Sequence, residues 1–294
     1  MKQFVKDKKY APIGVFDSGV GGLTVAREIM RQLPMESMIY FGDTARVPYG
    51  NKSKETIVRY SRQIMHFLDS KGVKAIVVAC NTASAFALEE LQPELEIPMI
   101  GVVKSGAKVA AQTTKIGKIG VIGTEGTIGS QIYTKMIRET NPQAEVLGKA
   151  CPLFVPLVEE GWLKDSITME VAKRYLTSFR ESNIDTLILG CTHYPLLRAI
   201  IGEVMGQQVT LVNPAYETAH GLKQLLEQYE LQNDGMEGKG KYLSDSFEDI
   251  ESYEMQEQGR YQFYVSDAAE KFKDFANSIL PCEIEEARLI HIEE

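Results

Sequence analysis

The sequence predicts an α/β protein made of two similar halves, each with a mostly parallel sheet flanked by helices. Three observations predict it. Short apolar runs rich in valine and isoleucine alternate with amphipathic stretches, as in parallel strands covered on both faces. A strand, turn and helix beginning at Ile13 (IGVFD, SGVGG, LTVAREIM) return at Ile119 as IGVIG and TEGTIGSQIYTKMIRE. A strand closed by a cysteine, Ala75–Ala85 (AIVVACNTASA), returns at Thr186–Leu197 (TLILGCTHYPLL). Ile13 to Ile119 is a step of 106 residues and Cys80 to Cys191 one of 111. Near-equal offsets are the trace of a duplicated unit.

Composition narrows the classes. A chain of 294 residues with 44% hydrophobic residues has material for two domains and an ample core. The formal net charge of -8 and the absence of a basic stripe argue against a nucleic-acid partner. The opening MKQFVKDKKYAP is charged and lacks the apolar stretch of a signal peptide, and no apolar run is long enough for a bilayer. A reduced, cytoplasmic protein with no membrane partner is expected, and so no disulfide.

In chain order, Ile13–Asp17 is a buried strand ending on an acid, and Asp17-Ser18 fall where open α/β sheets hold ligands. As a helix cap, Asp17 would need no chemistry. GVGG permits a tight turn and close backbone approach to a ligand, but lacks the GxGxxG spacing of a dinucleotide loop. Ser37–Gly42 is the next strand, followed by the loop DTARVPYGNKS and a helix capped by Ser53. A helix over Ser84–Leu91 and a strand over Pro98–Val103 complete the first half. In the second half, Gly123-Thr124 stand where the first has Asp17-Ser18. Glu145–Ala150 reads as a strand, and LFVPLVEEGW as a loop, either covering a pocket or merely exposed around a packed Trp162. A helix spans Thr168–Arg180 and a short strand Val209–Asn213. Leu231–Gly259 is polar, acidic and aperiodic, an exposed insertion or loop. Tyr261–Asp267 returns to strand alternation before a last helix, Ala268–Leu280. His66, His220, Cys282 and His291 have no chemical context.

Taken singly, either Cys80 or Cys191 reads as a small core residue closing a strand. The four cysteines form no CxxC pair, so no metal site is expected. The matched settings favour function: each thiol sits where a strand ends and a helix begins, followed by Asn81-Thr82 or Thr192-His193. Backbone N–H groups and the helix dipole stabilise anions there, whether thiolate or substrate carboxylate. Two thiols facing one carbon from opposite sides can act as base and acid, and the product is the inverted stereoisomer. His193 and Asp17 can assist the proton movements. A non-catalytic amino-acid binder or a redox switch using both thiols remain alternatives.

IGVFDSGVGGLTV, YFGDTARVPYG, VACNTASA and LGCTHYPL together resemble the glutamate racemases of the cofactor-independent aspartate/glutamate racemase family. The likeness runs from Ile13 through NPAYETA and resumes at YQFYVSD. It implies interconversion of L- and D-glutamate for peptidoglycan, without cofactor or metal, by a homodimer. Cys80 and Cys191 take the acid/base positions, assisted by Asp17, Glu159 and His193; Glu159 rather than Glu160 follows from the PLVE register. Asp17, Ser18, Tyr49, Gly50, Asn81, Thr82, Thr124, Thr192 and His193 fall on substrate-binding positions. The implied fold is two α/β domains related by a pseudo-twofold axis, with the site in the cleft between them. One domain comprises residues 12–104 and 214–294, the other 105–213, with about 233–259 a surface insertion.

Overall fold

A computed structural model describes residues 8–235 and 260–292 and shows two parallel sheets. The chain opens with β1 (Ile13–Asp17), α1 (Leu23–Gln32), β2 (Met38–Gly42), α2 (Lys54–Ser70), β3 (Ala75–Val78), the short helices α3 (Asn81–Phe86) and α4 (Leu88–Leu91), and β4 (Met99–Gly101). Helix α5 (Val102–Thr113) leads into β5 (Lys118–Gly123), α6 (Glu125–Gly129), α7 (Ile132–Thr140), β6 (Glu145–Ala150), α8 (Phe154–Glu159) and α9 (Ser166–Glu181). Then come β7 (Thr186–Gly190), α10 (Arg198–Met205) and β8 (Thr210–Val212). Helix α11 (Pro214–Gln228) carries the chain back, and β9 (Tyr261–Val265), α12 (Ala269–Ile279) and β10 (Arg288–Leu289) follow.

The first sheet has the order β10-β9-β2-β1-β3-β4 and the second β6-β5-β7-β8. Strip β9 and β10 from the first and the two orders coincide, strand for strand. The duplication in the sequence is therefore a duplication of topology. In both halves the first strand is central and its neighbours are reached by helical crossovers, which pack back on the sheet with one hand only. β1, β3 and β7 are buried along their whole length, as their unbroken apolar runs require. β6 lies at an edge and holds only partly buried and exposed residues.

Several boundaries differ from the sequence reading. The strand expected over Pro98–Val103 stops at Gly101, and Val102 already begins α5. The reason is packing: Val103, Ala107 and Ala110 of α5 join Ile119, Val121 and Ile188 in the core of the second sheet. The helix expected over Ser84–Leu91 starts earlier, at Asn81, because Cys80 caps it, and it breaks at Ala87. LFVPLVEEGW is not all loop, since Phe154–Glu159 is helical, and Trp162 is 43% exposed rather than packed. In the tail after Leu280, Ile284 is buried in the first core and Cys282 packs against it. Of the expected insertion, residues 236–259 lie outside the described residues. Its first residues are anchored: the Asn233 N–H donates to Glu36 Oε1 at 2.9 Å and its side-chain amide to the Met35 carbonyl at 2.8 Å.

Glu36 has a second partner that the sequence did not suggest. The Lys74 ammonium is fully buried and reaches both Glu36 Oε2 and the Lys9 carbonyl, tying β3, β2 and the start of the described chain together. Burial alone would make Lys74 give up its proton more easily; the carboxylate opposes this. Removing one charge of such a pair leaves the other uncompensated. Glu36→Gln is expected to cost about 2 kcal/mol and lower the melting temperature by about 4 °C in a calorimetric scan. An unchanged melting temperature would show the pair to be energetically neutral.

Candidate active site between the two sheets

The C-terminal ends of β1 and β3 present Asp17-Ser18 and Cys80–Thr82, and the ends of β5 and β7 present Thr124 and Cys191–His193. Asp17, Cys80, Asn81, Thr82, Cys191, Thr192 and His193 are all buried. Cys80 caps α3 with extended backbone, and its sulfur accepts from the Ala83 N–H at 3.5 Å. Its thiol lies 3.5 Å from Ser18 Oγ. Cys191 differs from its expected setting. No α-helix begins behind it; Pro195 instead starts a 3-10 turn, Tyr194–Leu197, before α10. In place of a helix dipole, Cys191 has an imidazole, with His193 Nδ1 3.7 Å from its sulfur. The other ring nitrogen meets Glu159 Oε1 at 3.2 Å. Helix α8 is what delivers that carboxylate.

The two thiols therefore have different neighbours. Burial pushes the Cys80 thiol up to about 12, and the neighbouring Asp17 carboxylate adds to this, while the contacts with Ser18 and the Ala83 N–H pull the other way. Asp17 is itself raised, by burial first, with His193 acting against it. One of its carboxylate oxygens, Oδ2, accepts from the Gly19 N–H at 3.0 Å; Oδ1 is buried with no hydrogen-bond partner among the described residues. At His193, burial works against the proton, but Cys191 and Glu159, together with the Asp17 field, outweigh it and raise the imidazole to about 10. The same contact holds Glu159 below its ordinary value. At neutral pH a positive ring thus stands beside Cys191, and Cys80 is a protonated thiol near the Asp17 carboxyl group.

This arrangement has a consequence for stability. The folded-state value of His193 lies above its unfolded one of 6.5, so its proton adds stability that is fully present below pH 6.5. That contribution is lost as the pH rises towards about 10. The melting temperature should fall across this window more steeply in the native protein than in His193→Gln, measured by circular dichroism in matched buffers. Equal slopes would refute the assignment of a charged ring.

Other expected residues are placed as follows. Thr82 Oγ1 lies 3.0 Å from Thr124 Oγ1 and 3.2 Å from Thr127 Oγ1, so three hydroxyls join the two sheets. Thr124 also caps α6, accepting from the Thr127 N–H at 3.2 Å. The Tyr49 hydroxyl gives its proton to the buried Asp43 carboxylate, which also takes Arg46 and Ser266. What the loop presents to the other half is Gly50, where a Cβ would stand 2.7 Å from Thr124 Cβ.

Sequence reasoning missed Thr24, Thr127 and Tyr133, buried at this junction, and Asp43, buried behind Tyr49. The glycine-rich turn does allow close approach, but to protein. A Cβ on Gly21 would collide with Thr192 Oγ1 and the His193 ring. Thr24 Oγ1 sits between the Gly21 and Thr192 carbonyls, 2.9 Å from each. Among the described residues, no three His, Cys, Asp or Glu side chains come together to hold a metal ion, and no helix is long and apolar enough to cross a membrane.

The chain that builds this site matches a known family of proteins. The profile of the Asp/Glu/Hydantoin racemase family matches residues 13–220. The chain belongs to this family and is by that membership an isomerase. Among its relatives, a glutamate racemase from Geobacter metallireducens is 48% identical over 268 residues, covering 91% of this chain and 92% of that protein. The crystal structure of a glutamate racemase from Bacillus anthracis superposes with a TM-score of 0.86 at 39% identity, covering 97% of this chain and 98% of that one. A second, from Francisella tularensis in complex with D-glutamate, gives 0.84 at 37% identity, covering 97% and 99%.

Proposed function

We propose that this protein is a glutamate racemase that inverts the α-carbon between two cysteines, with no cofactor. The observation that carries the reading is the placement of Cys80 and Cys191 at the ends of β3 and β7, equivalent strands of duplicated sheets. Each has its own ionisable partner there, Asp17 for one and the His193–Glu159 pair for the other. The substrate class follows from the relatives, and it fits the lining. The Thr82, Thr124 and Thr192 hydroxyls, the Ser18 hydroxyl and the Asn81 amide can hydrogen-bond the ammonium and carboxylates of a small amino acid. Gly50 and the peptide it shares with Tyr49 would close the pocket, the phenol being committed to Asp43.

In the step proposed, the Cys191 thiolate, paired with the His193 imidazolium, takes the α-proton from one face. The electron pair stays on the α-carbon, beside the carboxylate, and the Cys80 thiol gives its proton to the opposite face. The enzyme then holds a Cys191 thiol and a Cys80 thiolate, the state required for the reverse reaction. A charge at Cys191 is favoured by His193, and one at Cys80 by the Ser18 hydroxyl and the Ala83 N–H, so neither state is left uncompensated.

The test is purified protein with L-glutamate in D2O and EDTA, following optical rotation and the α-proton signal together. Loss of rotation with deuterium in the D-product supports the reading. Activity on aspartate alone would keep the mechanism and replace the substrate. Silence with both amino acids would refute it. The product would supply peptidoglycan synthesis, so depletion should be rescued by D-glutamate. A homodimer, the expected assembly, would be seen as twice the chain mass in light scattering.

A further inference from the structure

One side chain touches the segments of both cysteines, and the proposed chemistry makes no use of it. Tyr133, on α7, is buried in the core of the second sheet. Its ring lies against Gly190, the residue before Cys191: a Cβ on Gly190 would stand 3.1 Å from Tyr133 Cε2. Its hydroxyl crosses to the other half and donates to Asn81 Oδ1, the residue after Cys80, at 2.7 Å. Both partners are nearly sealed, Tyr133 at 3% and Asn81 at 4% exposure.

We propose that Tyr133 is a positioning residue, a strut that sets the Asn81 amide and the spacing of the two cysteine segments for substrate. The inference rests on the racemase reading above. A phenol has one proton to give, and here it goes to the amide oxygen. The amide must then turn its NH2 group away from Tyr133, and among the described residues no protein acceptor takes it. Two N–H donors left over beside the proposed dicarboxylate site are matched to a carboxylate oxygen. Burial pushes the Tyr133 phenol far up, so it stays a donor at any working pH. Gly190 has a further reason to lack a side chain, since a Cβ would also approach the Ile122 carbonyl at 2.6 Å. The ring and the glycine fit as a pair, fixing how near α7 comes to the end of β7.

Tyr133→Phe keeps the ring in place and frees the amide to rotate. It is expected to lower kcat/KM about tenfold to thirtyfold, with KM rising more than kcat falls, because the lost contact is to bound substrate. In an Asn81→Ala background the same change should have almost no further effect on kcat/KM, since the group it orients is gone. Asn81→Ser, which removes the acceptor and leaves Tyr133, should raise KM by a similar factor and is informative even if the tyrosine variant folds poorly. A merely structural tyrosine would lower the melting temperature while leaving KM alone, and its effect would be additive with Asn81→Ala. Either result overturns the proposal. The native protein is assayed alongside: if it racemises neither glutamate nor aspartate, the parent reading fails and takes this one with it. If it is active and Tyr133→Phe matches it in KM, only the strut is lost.

Discussion

Serine in place of Cys80 or of Cys191 is expected to lower racemisation at least about a thousandfold, roughly 4 kcal/mol of transition-state stabilisation, with the fold intact. The change is small in volume, and both side chains are nearly sealed, 5% and 6% exposed, so a stability loss of about 1 kcal/mol is the most that packing predicts. The chemistry changes far more. A hydroxyl is a much weaker acid than a thiol, so it neither holds an anion beside His193 nor gives up its proton beside Asp17. The variants should also fail differently. Each retains one thiol on one face, so any residual exchange of the α-proton in D2O should favour one enantiomer in Cys80→Ser and the other in Cys191→Ser. Full racemisation by either variant would sink the two-base scheme. Equal loss with the same enantiomer preference would refute the assignment of one thiol to each face.

Much of this site was legible because it is written in local patterns. An apolar run buried on both faces ends abruptly at Cys80 and at Cys191, and the end of such a strand is where an α/β sheet exposes its ligand groups. Repetition of the pattern placed the two thiols on equivalent strands, and the shared order of strands in the two sheets follows the same duplication. What was not legible depends on contacts between segments far apart in the chain. Nothing local distinguishes Tyr133 from any aromatic core residue on an amphipathic helix; its role exists only because Asn81 arrives from another sheet. The phenol of Tyr49 offered a polar group in the right loop, yet Asp43, six residues before it, had already taken it. The same holds for the groups beside the second thiol. The sequence suggests a helix dipole behind Cys191, but Pro195 and the turn at Tyr194–Leu197 postpone the helix, and the side chains of His193 and Glu159 stand there instead.

Gly21 offers the sharpest test of how tightly the two halves must close on each other. Gly21→Ala adds one methyl group where the Thr192 hydroxyl and the His193 ring already stand. The ring has little freedom to yield, because it is held on one side by Cys191 and on the other by Glu159. The backbone cannot retreat easily either, since Thr24 ties the Gly21 and Thr192 carbonyls together. Overpacking of this kind costs about 1–3 kcal/mol of stability, whereas displacing a catalytic group by an ångström can cost about a hundredfold in rate. The expected result is therefore a kcat/KM at least about a hundredfold lower in a protein that still melts cooperatively. A second readout separates displacement of His193 from general loosening. With the ring moved off Cys191 and Glu159, its raised pKa relaxes downwards, so the fall of melting temperature between pH 6.5 and about 10 should flatten. Gly129→Ala, where an added Cβ meets nothing within 4 Å, is the matched control and should be close to native in both assays. If Gly21→Ala keeps native kcat/KM and its pH slope, the His193 ring gives way without consequence, and the imidazole has no part in activating Cys191. If the slope flattens while the rate holds, the charged ring serves stability alone. Only the joint loss ties the glycine turn of one half to the base of the other.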